Sequence, residues 1–130
     1  MASSYTFRKL TDIDDSAPKF GFAELQEARF ANEDLETEQT GVSHHRVKEG
    51  ARQAFGHRHE KAEEVYVVIS GSGRVKLDDE IVELEKLDAL RVSPEVTRCF
   101  EAGDDGLELL AFGAQHKGDG EVIPGWWKDD

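Results

Sequence analysis

The stretch "FGHRHEKAEEVYVVISGSG", residues 55–73, sets two histidines one residue apart, two adjacent glutamates, a β-forming run and a glycine-rich turn side by side. In an extended chain successive side chains alternate faces, so His57 and His59 point one way and Arg58 the other. Two imidazoles on one face can share an ion, and two histidines with a carboxylate make the facial donor set that leaves positions open for water, substrate or oxygen. Glu64 is the natural third donor. It opens the next strand across the short reversal "EKAE", where antiparallel pairing brings its carboxylate beside the imidazoles. Glu63, one residue earlier, is expected on the opposite face. The other reading of an H-x-H alone is a solvated polar strand face.

These residues need a scaffold of short strands, and from Gly41 onward the chain has that texture. Candidate strands are "VSHHRV", "QAFGHRH", "EVYVVI", "GRVKL", "IVELE", "ALRV", "RCFEA" and "LELLAFG". Between them "KEGA", "HEKAE", "SGSG", "DDE", "KLD", "SPEVT" and "GDDG" supply the Gly, Pro, Asp or Ser that a chain reversal needs. With no room for crossover helices, the pattern predicts an all-β antiparallel sandwich or barrel. Before it, "SYTFRKL" alternates like a strand, "DSAPKFG" reads as a loop, and "ANEDLETE" has the length of one or two helical turns. We expect residues 1–40 to cover the barrel, 41–113 to form it, and 114–130 to pack on it as a tail, with both tryptophans of "EVIPGWWKDD" over an apolar patch.

Length and charge bound the function. A chain of 130 residues fits one domain with a single core. Its net charge of -12, from 28 acidic against 16 basic residues, repels phosphates, so nucleic acid and anionic membrane are not expected as partners. One cysteine, Cys99, rules out an internal disulfide framework and fits a reducing compartment. The start "MASSYTFRKLTDIDD" has no signal-peptide pattern and no apolar run is long enough to cross a bilayer, so a cytoplasmic location is expected.

The order H-x-H, four residues, Glu, six residues, Gly (His57, His59, Glu64, Gly71), with Gly50 shortly before it, resembles the first signature of the cupin superfamily. The resemblance covers roughly residues 41–113 and extends to small single-domain proteins of the conserved-barrel type. It implies a cupin-type jelly-roll β-barrel with a short irregular or helical N-terminal cover. In the family's second signature a glycine, a proline, a second glycine, a histidine and an asparagine recur. Here Leu87, Ser93, Glu95, Arg98 and Ala102 stand at those places. The family's histidine completes a four-ligand site, and arginine cannot replace it, because a guanidinium stays protonated and has no lone pair to donate.

Arg98 has two possible placements. Pointing inward it would pair with Glu64 or a substrate carboxylate and disfavour a cation. Pointing outward or to the mouth it would leave a three-ligand site intact, and the retention of His57, His59 and Glu64 at family spacing makes this the expected placement. Of the neighbours His44 and His45, one must face inward whichever register the strand adopts, and the parity His45 shares with Val47 favours His45, a choice that one extra bulge would reverse. It is a further candidate ligand, or a hydrogen-bonded core residue. His116 is expected in a loop facing water, and Cys99 is expected to be a packed thiol on the face opposite Arg98.

The resulting expectation is a small-molecule-binding protein with a divalent metal (Fe, Mn, Ni or Zn) at His57, His59 and Glu64, acting as an oxygenase or isomerase as the resemblance implies. The alternatives are a metal-free module for a small anionic ligand, and a barrel without catalytic activity. The resemblance and the need to cover edge strands also imply a homodimer.

Overall fold

The computed structural model describes residues 4–128. Eight strands and one helical turn follow two short 3-10 turns, Leu10–Asp12 and Ala17–Phe20. The strands are β1 (Gln26–Phe30), β2 (Thr40–Val47), β3 (Phe55–His59), β4 (Glu64–Leu77), β5 (Glu80–Leu84), β6 (Ala89–Val92), β7 (Arg98–Ala114) and β8 (Gly120–Pro124), with α1 (Asn32–Leu35) before β2. All pairings are antiparallel. The expected all-β jelly roll is what forms.

Two strands are longer than the sequence pattern suggests. "EVYVVI" and "GRVKL" join into β4, and "RCFEA" and "LELLAFG" into β7, so "SGSG" and "GDDG" are not chain reversals. The two glycine-rich stretches lie opposite each other and bend the paired strands together, with register shifts at Val68/Ser70 and Gly71/Gly73. Only glycine fits here: Gly71 has φ +76°, and a Cβ on it would lie 2.0 Å from the Gly106 carbonyl oxygen. Each bulge also flips the alternation, so even-numbered residues face inward on one side of the β4 bend and odd-numbered ones on the other.

The bend divides the sheet into two layers that share β4 and β7. One consists of β1, β2, the C-terminal half of β7, the N-terminal half of β4, and β6; the other consists of β8, β3, the N-terminal half of β7, the C-terminal half of β4, and β5. Between them Val47, Tyr66, Val68, Val75, Leu84, Val92, Phe100, Leu107 and Leu109 form a continuous apolar core. This half-barrel carries the site, because inward residues of the two layers face one another at its open end.

Strands β1 and β8 lie in segments that no β-rich run marks. The strand-like "SYTFRKL" forms no strand: residues 5–9 are irregular and lead into the first 3-10 turn. Its alternation has no burial behind it, since Tyr5 and Phe7 are 80% and 82% exposed, and the Thr6 hydroxyl donates to the Leu35 carbonyl instead. "DSAPKFG" tightens into the second 3-10 turn, with Pro18 in its first turn and Gly21 closing it. At the other end Trp127 is buried beneath the Arg52 guanidinium, 4.1 Å from its ring centre, and Trp126 packs against Gly56. No helix among the described residues is long and apolar enough to cross a membrane.

Candidate metal centre

The alternation of β3 turns both imidazoles inward, with ring centres 5.3 Å apart and planes perpendicular. Arg58 faces outward and donates to Glu121 at 3.0 Å. Glu64, the first residue of β4, lies across the turn, and its Oε1 is 3.4 Å from His57 Nε2 and 3.3 Å from His59 Nε2. Glu63 points away and pairs with Arg91 at 3.1 Å. One donor atom each from His57, His59 and Glu64 falls within 4.8 Å of the others, so the three sequence-predicted ligands converge on one point.

Two residues join them that spacing did not mark. The Tyr66 hydroxyl donates to Glu64 Oε1 and lies 3.3 Å from His57 Nε2. Tyr66 is two residues after Glu64 on the same strand face, so alternation contained its signal. Asp119, in the loop before β8, brings its Oδ2 to 3.4 Å from His59 Nδ1. Nothing local to the histidines points to Asp119.

Burial alone would raise the Glu64 pKa, but His57, His59 and Tyr66 gathered on its carboxylate outweigh it and hold the group well below the usual carboxylate range. Burial lowers the His57 pKa despite the opposing Glu64 charge, which favours the neutral imidazole that can donate a lone pair. Burial and the Glu64 charge push the Tyr66 phenol well above its ordinary value, so it remains a donor. Both ring nitrogens of His59 are buried with no hydrogen-bond partner. Buried polar atoms are normally satisfied, and two imidazole nitrogens with a carboxylate around an unsatisfied centre form a donor set that a first-row divalent ion fits. A cavity of about 320 Å³ leads to it, lined by Asn32, Ser43, His59, Glu64, Lys117 and Asp119 among others. A larger groove of about 630 Å³ lies at the strand bend, beside Arg74, Glu83 and Glu101, away from the histidines.

Arg98 does not take the expected outward or mouth placement. It is 0% exposed, opposite His57 in the β3–β7 pairing, and its Nη2 is 3.9 Å from Glu64 Oε1. Its even-numbered position in the first half of β7 puts it on the inner face with Phe100 and Ala102. The guanidinium donates to the His57 and Ser93 carbonyls at 3.4 and 3.3 Å, and its Nε has no partner. A fixed positive charge therefore stands behind the donor cluster.

His45 lies on the inner face with Ser43 and Val47, but its Nε2 is engaged by the Ser43 hydroxyl at 2.7 Å. It is not among the convergent donors found in the described residues. Burial, with the nearby His57 charge, lowers its pKa to about 4. His44, on the outer face, is buried too, against Glu108 at 2.5 Å. His116 is exposed. Cys99 is a buried thiol near the Gln53 carbonyl, and burial pushes its pKa up to about 12.

The backbone keeps one feature of the second signature that the letters lack. Leu87, at the family's first glycine, has φ +72°.

The chain matches no curated protein. Among solved structures, a cupin protein from Bacteroides fragilis is similar at 23% identity and TM-score 0.71, over 90% of this chain and 89% of that one. A variant of oxalate decarboxylase from Bacillus subtilis gives 21% identity and TM-score 0.76 over 95% of this chain, which spans only 33% of the enzyme's length. The polyketide cyclase RemF from Streptomyces resistomycificus gives 16% identity and TM-score 0.74, over 96% and 88% of the two chains. At these identities the likeness concerns the fold. The cupin domain family (cupin 2) matches residues 43–113, the segment that runs from within β2 almost to the end of β7 and holds every convergent donor, and the chain belongs to the cupin superfamily in its conserved-barrel branch.

Proposed function

We propose that this chain binds a small molecule at a divalent metal held by His57, His59 and Glu64, and acts on it as a metal-dependent oxygenase or isomerase. The observation that carries the reading is the pair of buried, unsatisfied nitrogens of His59 at a point where His57 and Glu64 also converge. Such an ion, Fe, Mn, Ni or Zn, would supply Lewis acidity and open coordination positions. The chain's own residues shape the site: Asn32 and Ser43 line the cavity that leads to the donors, and the Tyr66 hydroxyl holds Glu64. Oxalate decarboxylase and a polyketide cyclase among the similar folds support an enzymatic role.

The test is metal analysis of untagged protein, followed by calorimetric titration with Mn, Fe, Ni and Zn salts. Binding that is lost in Glu64→Gln supports the reading, and no binding at micromolar metal overturns it. One observation favours a second reading, a metal-free module for a small anionic ligand. Arg98 is inward and near Glu64, so its charge opposes a cation.

A homodimer is proposed with either reading. Val65 and Phe112 lie opposite each other on the outer sheet face and are 37% and 39% exposed, an apolar strip that a second copy would cover. A monomer mass in light scattering would reject this. Cytoplasmic residence is proposed on the buried free thiol of Cys99.

A further inference from the structure

His59 stands between two carboxylates. Its Nε2 is 3.3 Å from Glu64 Oε1 and its Nδ1 is 3.4 Å from Asp119 Oδ2, and neither nitrogen makes a hydrogen bond. A neutral imidazole has one N–H, and the nitrogen that carries it decides which one has the lone pair. Glu64 Oε1 already receives the Tyr66 hydroxyl and the His57 contact. Asp119 is differently placed. Its Oδ1 accepts the backbone N–H of Glu60 and Lys61 at 3.1 and 2.8 Å, and its Oδ2 accepts that of Ala62 at 2.9 Å, which leaves a lone pair of Oδ2 beside His59.

These three N–H groups belong to the turn joining β3 to β4, so one carboxylate spans the connection between the histidine strand and the glutamate strand. The Asp119 side chain is 5% exposed. Both of its oxygens accept from backbone N–H groups of that turn, so the carboxylate serves as an acceptor throughout. The residue lies outside the segment matched by the family, 43–113.

We propose that Asp119 is a positioning residue of the site: it takes the Nδ1–H of His59, leaving the Nε2 lone pair facing Glu64, and it fixes the turn that sets the spacing of the two donor strands. A carboxylate on the far nitrogen of a ligating histidine fixes its tautomer and ring orientation, and its loss typically costs about 10–100-fold in metal affinity. The affinity part of the proposal rests on the metal-binding reading above. The tautomer part does not.

The experiment is a long-range proton–nitrogen NMR spectrum of the 15N-labelled, metal-free protein at about pH 8, above the usual imidazole range. His59 in the wild type should show the proton on Nδ1. Asp119→Asn keeps an oxygen for part of the turn but removes the second acceptor, and should move the proton to Nε2 or mix the tautomers. Asp119→Glu keeps the acceptor charge and should restore the Nδ1 form at least in part. In calorimetry with Mn or Zn, Asp119→Asn should bind about 10–100-fold more weakly.

A merely structural role would lower the melting temperature and leave the tautomer unchanged. A wild-type His59 protonated at Nε2, or an unchanged tautomer in Asp119→Asn, overturns the proposal. If Asp119→Asn does not fold, the wild-type spectrum and Asp119→Glu still decide it. Wild-type protein that binds no metal while showing the Nδ1 form would overturn the metal reading and sustain the role of Asp119 toward His59.

Discussion

Replacing Arg98 by glutamine removes a fully buried positive charge next to the donor cluster without adding a ligand. The guanidinium Nη2 is 3.9 Å from Glu64 Oε1. At an effective dielectric constant of about 20, two unit charges at that separation interact by about 4 kcal/mol. Each unit of charge on a cation bound to Glu64 would meet a repulsion of the same order, and Glu64 would lose an attraction of that order when it turned to the ion. Water at the cavity mouth and relaxation of the turn reduce this, so the net effect is set at about 1.5–3 kcal/mol, or roughly 10–150-fold in affinity. Calorimetric titration of wild type, Arg98→Gln and Arg98→His with Mn and Zn measures it. Arg98→Gln should tighten binding by the electrostatic part, and Arg98→His should tighten it further by supplying a donor where the family has one. Circular dichroism and melting must show that each variant folds, because the guanidinium also holds the His57 and Ser93 carbonyls. Equal or weaker metal affinity in a folded Arg98→Gln protein would refute the electrostatic argument.

Acidification should destabilise the fold through His45, whose folded pKa of about 4 lies below the unfolded value of 6.5. The unfolded chain then takes up the proton first, so stability is full above about pH 6.5, falls by about 2 kcal/mol by about pH 5 and levels off below about pH 4. Urea midpoints across that range measure the loss, and a pH slope unchanged in His45→Asn would refute the assignment to His45. Gly71→Ala places a Cβ 2.0 Å from the Gly106 carbonyl oxygen at φ +76°; the expected cost is roughly 3 kcal/mol or more, and a melting temperature equal to wild type would contradict the bend described here. Leu87→Gly relieves a left-handed, 73% exposed leucine and should stabilise by about 0.5–1 kcal/mol after the entropy of the added glycine is subtracted, read as a shift in urea midpoint without change of slope.

The donor set was legible because it is local. A two-residue period puts His57 and His59 on one face, a four-residue reversal returns the chain at Glu64, and neither step requires knowledge of distant parts. Tyr66 shares that period, but its place at the site emerged only with the contact of its hydroxyl to Glu64. The glycine of "SGSG" was legible as a special backbone position but not as a bend, because its meaning comes from Gly106, thirty-five positions on, whose carbonyl it meets. Arg98 needed the tertiary structure for a similar reason: alternation allows either face, and the bulges in β4 and β7 that fix its parity arise only when the two strands pair. Asp119 was beyond sequence reasoning altogether. Its role depends on β8 pairing with β3, which delivers a loop carboxylate to a turn about sixty residues earlier in the chain. Short-range geometry named the donors, and long-range pairing decided what charge stands behind them and what holds them in place.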